Sequence, residues 1–191
     1  SYLIEKMRSD KSLRELLQMV ALMPMAIPGI VLGLAYIFFF NAKGNPLNFF
    51  YATMAILVVN TIVHFYTVSH LSAITAIKKL DDEFESVSLS LKIPTYKMFF
   101  RVTLPVCLPT VFDIFIYLFC NAMTTVSGVI FLYTYDTTLA SVSAIHLDEQ
   151  GDVAGAAAMA MLIVYISFVV RGLHTIISTL LLKRTQAWRN I

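Results

Sequence analysis

The sequence predicts an all-α polytopic membrane protein, a single transmembrane domain over residues 1–191 with about four membrane-spanning helices. Hydrophobic residues make up 58% of the chain and charged residues 14%, and the mean hydropathy is +0.76. This composition is far more apolar than that of a soluble domain of the same size. A span needs about 20 apolar residues, and four runs lack Asp, Glu, Lys and Arg: residues 16–42, 44–77, 114–135 and 153–170. They predict spans at residues 13–40, 50–77, 104–133 and 153–182.

The first span contains prolines and glycines that predict an irregular helix. Pro24 and Pro28 each lack an N–H donor and clash with the preceding turn, so the helix should kink or open there. Gly29 and Gly33 have the GxxxG spacing that lets another helix approach closely. These residues indicate either ordinary membrane-helix packing or a hinge that lines a pore.

The second span is uncharged but has a polar face. Asn60 and His64 lie one helical turn apart, close to the hydroxyls of Thr61 and Thr67. A histidine inside a membrane is more often a partner for a hydrogen bond between helices than a proton relay or a ligand. Both functions remain open for His64 and for the neighbouring His70.

Polar residues recur in the middle of the third span, at Asn121, Thr124, Thr125 and Ser127. They either hydrogen-bond to neighbouring helices or line a translocation path, and the pattern leaves both interpretations open. The following segment, residues 134–152, has four acidic residues and no Lys or Arg. Its apolar residues recur at three-residue spacing, which predicts a short amphipathic helix at the outer surface.

Two charged residues, Asp113 and Arg171, fall inside predicted spans. A charge at membrane depth is costly unless it is paired. Counted from the inner ends of their helices, Asp113 lies about 13 Å deep and Arg171 about 18 Å deep, at 1.5 Å per residue. The similar depths predict that the two side chains pair.

The polar segment 81–102, between the second and third spans, predicts two short helices outside the membrane. Leu80, Phe84, Val87 and Leu91 are spaced for one face of a helix. Pro94 ends this helix and opens a second one. The segment is either a solvated connector or a helix that docks on a soluble partner.

The distribution of basic residues predicts the orientation. If segment 81–102 is cytoplasmic, 12 of the 14 Lys and Arg residues lie on the inner side, as the positive-inside rule requires. Lys43 lies outside and Arg171 lies within a span. With four spans, both ends of the chain are then cytoplasmic. The net charge of +2 gives no indication of nucleic-acid binding.

Catalytic and cofactor motifs are absent from the sequence. It has no GxxxxGK[ST] phosphate loop, no HExxH and no GxSxG. The two cysteines, Cys107 and Cys120, fall within one predicted span and suggest neither a disulfide framework nor a metal site. We therefore expect no cofactor, and any energy from a nucleotide must come from a partner.

The segment 81–102 resembles the EAA loop of bacterial ABC-importer permeases. Glu85-Ser86-Val87-Ser88 stands where that loop has a Glu followed by small residues, and Val102-Thr103-Leu104-Pro105 supplies its apolar-x-Leu-Pro ending. Val87 replaces the usual Ala, and Lys92 stands near the expected Gly. The run IPGIVLGLAY in the first span is also similar to this family. Because such permeases have further spans before this point, the resemblance implies the C-terminal part of a longer polypeptide.

The resemblance implies a type I ABC-importer permease in the bacterial inner membrane, with four kinds of neighbour. These are ABC ATPase subunits, a second permease half, an extracytoplasmic substrate-binding protein and the lipid bilayer. The ATPase would contact the loop at Phe84, Glu85, Ser86, Val87, Leu91 and Lys92. The candidates for the translocation path are Asn60, His64, Asp113, Asn121, Thr124, Thr125, Ser127 and Arg171.

The substrate implied by the resemblance is a phosphonate such as 2-aminoethylphosphonate, with iron(III) as the alternative. The stretches that carry it are MTTVSGVIFLY, TTLASVSAIHLDEQGDVAGAAAMAM and RTQAWR. A second class of function is a secondary transporter in which His64, His70, Asp113 and Arg171 form an ion relay. A third is a membrane scaffold without transport.

Overall fold

The computed structural model describes residues 1–6, 11–81 and 83–185, without the side chains of Glu85 and residues 180–185. This part of the chain is helical and contains no β-strand, which confirms the predicted all-α class. The α-helices are α1 (Tyr2–Lys6), α2 (Lys11–Ala26), α3 (Gly29–Phe40), α4 (Met54–His64), α5 (Tyr66–Lys78), α6 (Glu83–Ser90), α7 (Thr95–Met98), α8 (Leu104–Val106), α9 (Leu108–Thr124), α10 (Ala140–Glu149) and α11 (Val153–Thr185). A π-helical turn, Phe99–Thr103, joins α7 to α8.

The number of membrane spans depends on how three bent helix pairs are counted. Among the described residues, one helix is by itself long and apolar enough to cross a bilayer, from Val153 to Thr179 of α11. The pairs α2–α3, α4–α5 and α7/α8–α9 bend by 104°, 55° and 73°. If each pair forms one broken span, length and composition allow up to four spans.

Proline accounts for two of the three bends. Between α2 and α3 the chain turns at Pro28, which has extended backbone angles and caps α3. The helix is interrupted there because the residue before a proline avoids the helical region and the proline removes a backbone hydrogen bond. Pro24, by contrast, lies inside the uninterrupted α2. The bend before α9 falls at Cys107, and Pro109 lies in the first turn of α9.

The third predicted span is shorter in the structure than the sequence suggested. We predicted it to reach residue 133, but α9 ends at Thr124 because Thr125 is extended. Consecutive turns follow, with Val129 N–H donating to Val126 O at 3.0 Å and Tyr133 N–H donating to Val129 O at 3.1 Å. The apolar run after Thr125 is therefore buried as turns rather than as helix.

These turns form one side of the main hydrophobic core. Val129 and Leu132 pack with Ile56 and Leu57 of α4 and with Val142 of α10. Helix α10 is the short helix predicted for residues 134–152. Helix α11 lies outside this core and exposes most of its large apolar side chains, as expected of a surface that faces lipid or another membrane subunit.

Candidate functional site

The coupling surface, defined as α6 together with Leu91 and Lys92, presents apolar side chains to solvent. Phe84, Val87 and Leu91 are 41%, 56% and 66% exposed. Ser88 faces inward and is buried. Ser86 is exposed, and the side chain of Glu85 lies outside the described part of the structure. Of the helical face predicted from the sequence, Phe84 and Val87 lie on α6. Leu80 precedes the helix and Leu91 follows it, and the exposed side chains are open to a partner.

A groove of about 710 Å³ runs beside this surface, between α6 and the α7 segment. Apolar residues and charged residues of both signs line it together. The apolar residues are Phe84, Val87, Ile93, Pro94, Met98 and Val102, and the charged ones are Asp81, Glu83, Lys92, Lys97 and Arg101. A groove lined by apolar and charged side chains suits an inserted helix or loop of another protein.

Lys92 ends α6 in a left-handed backbone conformation, with φ of 53°. Ile93 N–H donates to Ser88 O at 2.9 Å, and Lys92 N–H donates to Leu89 O at 3.0 Å. These two hydrogen bonds form a Schellman motif, whose left-handed position is usually glycine. The geometry explains why the resembling loops have a glycine near this place.

An intramembrane cluster brings α3, α4 and the turns after α9 into close contact. The Asn60 amide is fully buried and donates from Nδ2 to Gly128 O at 2.8 Å. A Cβ atom on Gly29 would lie 2.7 Å from Ser127 Oγ and 3.2 Å from His64 Cε1, and one on Gly33 would lie 2.7 Å from Gly128 O. The structure thus joins three predicted path residues, Asn60, His64 and Ser127, around the predicted GxxxG pair.

The other polar residues of the third span do not join this cluster. Asn121 donates to Tyr117 O at 2.7 Å and Thr124 donates to Cys120 O at 3.1 Å, both within α9. The carbonyl of Thr125 accepts a hydrogen bond from Ser141 Oγ at 2.7 Å. These contacts belong to helix packing and to the attachment of α10.

The predicted pairing of Asp113 with Arg171 is wrong. Asp113 Oδ1 lies 3.1 Å from His174 Nε2, one turn further along α11, in a contact of ion-pair distance. The Asp113 side chain is 60% exposed and the His174 side chain 15%. Our sequence reasoning passed over His174, although its three-residue spacing from Arg171 places both on one side of α11.

Asp113 also lines a cavity of about 980 Å³ that opens between α5 and α9. Several hydroxyl groups share its wall, and Phe84 of the coupling surface lies at its edge. The residues with polar side chains are Ser72, Thr75, Lys79, Asp81, Thr110, Asp113 and Ser178. The cavity therefore connects the neighbourhood of the coupling surface with the contact of Asp113 and His174 between α9 and α11.

Comparison with known families identifies the chain. Residues 1–183 match the model of the family described as binding-protein-dependent transport system inner membrane component. The chain belongs to this family. The resemblance to ABC-importer permeases is thereby confirmed, and this permease belongs to a family of inner-membrane transport components.

Two curated relatives are named for ferric transport. The permease is 28% identical over 163 residues to the ferric transport system permease protein FbpB of Actinobacillus pleuropneumoniae, a match of 85% of this chain and 23% of the relative. It is 32% identical over 130 residues to the putative ferric transport system permease protein FbpB 1 of Haemophilus influenzae, a match of 68% of this chain and 20% of the relative. The chain thus spans less than a quarter of the length of either relative.

A solved structure supports the fold. The permease matches a chain of a bacterial ABC transporter involved in import of the acidic polysaccharide alginate, with a TM-score of 0.72 and 16% identity. The match covers 93% of this chain and 69% of the other. At this identity the similarity shows a shared fold alone.

Replacing Lys92 with glycine is expected to stabilise the permease. A side chain in the left-handed region costs about 1 kcal/mol, which glycine does not. We therefore expect Lys92→Gly to raise the free energy of unfolding by about that amount, measured as a higher midpoint of thermal unfolding in detergent. Ser90→Gly, at the last residue of α6, is the matched control and should lower the midpoint. A lower unfolding midpoint for Lys92→Gly would contradict the left-handed Schellman position assigned to Lys92.

Proposed function

We propose that this permease is the membrane subunit of an ATP-driven importer and that its coupling surface docks on an ABC ATPase subunit. The observation that carries the proposal is the exposed apolar face of α6 beside a groove lined by apolar and charged residues, in a chain of this transport family. Three large apolar side chains exposed together outside the predicted spans are costly in water. A partner that covers the coupling surface and fills the groove would remove them from solvent.

The translocation path we propose runs along the large cavity rather than through the intramembrane cluster. Asp113 is largely exposed and lines that cavity, so a passing solute could reach its carboxylate. Asn60 is fully buried, so we assign it, with His64 and Ser127, to helix packing. We retain the cytoplasmic location of both chain ends and of the coupling surface, which the positive-inside distribution favours.

The substrate we propose is iron(III), because both relatives described above are named for ferric transport. The phosphonate expected from sequence stretches has no support among them. A substrate-binding protein and a second permease half complete the proposed importer. Uptake of labelled iron(III) and of labelled 2-aminoethylphosphonate by the same proteoliposomes, each with the cognate binding protein, would distinguish the two substrates.

Val87→Asp is expected to release the ATPase. Placing a carboxylate on the apolar face that the partner would cover costs a desolvation free energy of well over 1.4 kcal/mol, the equivalent of a tenfold loss of affinity. We expect at least a tenfold reduction in the ATPase that co-purifies with the permease, measured by quantitative pull-down.

Val153→Asp provides the matched control for this experiment. It makes the same substitution at an exposed valine at the opposite end of the membrane region. ATPase recovery should be unchanged in this variant. Equal recovery in both variants would contradict docking at α6. Uptake driven by a proton or sodium gradient in liposomes without any ATPase would instead support the secondary transporter.

A further inference from the structure

Helix α1 lies between segment 81–102 and the inner ends of α2 and α5. We infer that α1 is a strut that transmits movement of the coupling surface to α2, and that Glu5 is the positioning residue that holds it there. The inference rests on the proposed docking of an ATPase on α6. The route through α1 is additional to the direct chain connection from α5 into segment 81–102.

The strut contacts segment 81–102 through its aromatic residue. The ring of Tyr2 packs on the ring of Phe99, with 4.8 Å between centroids. Tyr2 also borders a small cavity of about 120 Å³ that it shares with Ser88, Leu89 and Met98. Helix α1 is therefore joined to segment 81–102 at Phe99 and faces Ser88 and Leu89 of α6 across this cavity.

An ion-pair network joins the strut to α2 and α5. Glu5 Oε1 lies 2.9 Å from Arg14 Nη2 of α2 and 3.9 Å from Lys78 Nζ of α5. The Glu5 side chain is only 10% exposed. Just before α1, Ser1 Oγ adds a hydrogen bond to His70 Nδ1 of α5, at 2.9 Å. One carboxylate thus connects three helices.

This network differs from an ordinary surface ion pair in its burial and in what it joins. Exposed pairs are weak because water screens them, whereas removing one partner of a nearly buried pair leaves the other uncompensated. Along the chain, α2 lies more than 50 residues before segment 81–102, so movement of α6 reaches it through neighbouring helices. One of these is α5, whose Thr67 Oγ1 donates to Ala21 O of α2 at 3.1 Å. Glu5 and Arg14 provide another, through the helix that contacts Phe99.

Movement of α2 would be transmitted to α3 and to the intramembrane cluster. Helix α2 leads across the 104° bend into α3, whose first residue, Gly29, abuts His64 and Ser127. A displacement of α6 that moves α1 and α2 together would therefore reach the packed region inside the membrane. Without the strut, ATP hydrolysis would continue while less of its movement reached the membrane helices.

The test is the amount of substrate transported per ATP hydrolysed by the complete importer in proteoliposomes. For Glu5→Gln we expect ATPase binding and hydrolysis to persist while transport per ATP falls by about fivefold or more, the lower end of typical coupling between sites. The charge-exchanged double variant, Glu5→Arg with Arg14→Glu, should recover part of the loss, because it restores the pair with α2 but places a like charge beside Lys78. A purely structural role would lower yield and thermal stability without changing the ratio.

Leu3→Ala is the matched control, since Leu3 lies on α1 with its side chain exposed and should keep the wild-type ratio. Tyr2→Ala removes the contact of the strut with Phe99 and should reproduce the loss even if Glu5→Gln folds poorly. A wild-type ratio in Tyr2→Ala or in folded Glu5→Gln overturns the inference. So does a loss of bound ATPase in proportion to the loss of transport. Failure of the proposed function differs, because wild-type permease would then retain no ATPase.

Discussion

Replacing Gly33 with valine is expected to prevent α3 from packing in its present position. Even the first added carbon would lie 2.7 Å from Gly128 O and 3.5 Å from Gly128 C, and backbone atoms cannot rotate away as a side chain can. Overpacking of this kind costs about 1–3 kcal/mol or more. We expect the upper end of that range or beyond, with loss of transport, measured as a lower unfolding midpoint in detergent and reduced uptake.

Gly172→Ala is the control for this prediction. Gly172 lies inside α11, and no atom stands within 4 Å of where its Cβ would be. Alanine is favoured over glycine in a helix interior by about 0.5–1 kcal/mol, so this variant should be neutral or more stable. An unchanged midpoint for Gly33→Val would mean that α3 does not rest on the turn containing Gly128.

The GxxxG spacing illustrates what the sequence could predict about this contact. It correctly indicated a close approach at Gly29 and Gly33, because small residues on one helical face leave room for a neighbour. It could not identify the neighbour, which is the turn around Gly128 rather than a helix. The sequence did not predict that turn, because the apolar composition after Thr125 is equally compatible with a membrane helix and with a buried turn.

The bends were predictable only where proline causes them. Pro28 disrupts the helix by its own geometry, and the chain bends there by 104°. The 55° bend at Phe65, between α4 and α5, has no proline or glycine beside it. Its position depends on how the two helices pack in the tertiary structure, and the local sequence contains no signal for it.

The partner of Asp113 shows the limit of counting residues along a helix. We estimated its depth along one straight helix from Leu104, but the chain bends by 73° before α9. The path from the inner end to Asp113 is therefore not a straight line. The carboxylate consequently meets His174 and not Arg171, a difference of three residues, or about 4.5 Å along α11.

Asn60→Asp is expected to have an effect as large as that of Gly33→Val. The substitution replaces the Nδ2 donor with an oxygen, which would face the acceptor Gly128 O across 2.8 Å in a fully buried position. Among the described residues, Asn60 is the one recorded donor to this carbonyl. Both oxygens would then be unpaired, so we expect a loss of about 3 kcal/mol or more, measured by thermal unfolding and membrane yield.

Two further variants separate the charge from the lost hydrogen bond. Asn60→Leu leaves Gly128 O unpaired without adding a charge, so its cost should be about 1–3 kcal/mol. Asn121→Asp makes the same chemical change where the amide bonds only Tyr117 O of its own helix, and it should cost less than Asn60→Asp. Equal losses of stability at positions 60 and 121 would contradict the role of Asn60 in the intramembrane cluster.

Since Asn60 joins α4 to the turn against which Gly33 packs, the double variant Gly33→Val with Asn60→Asp should lose less stability than the two single losses added together.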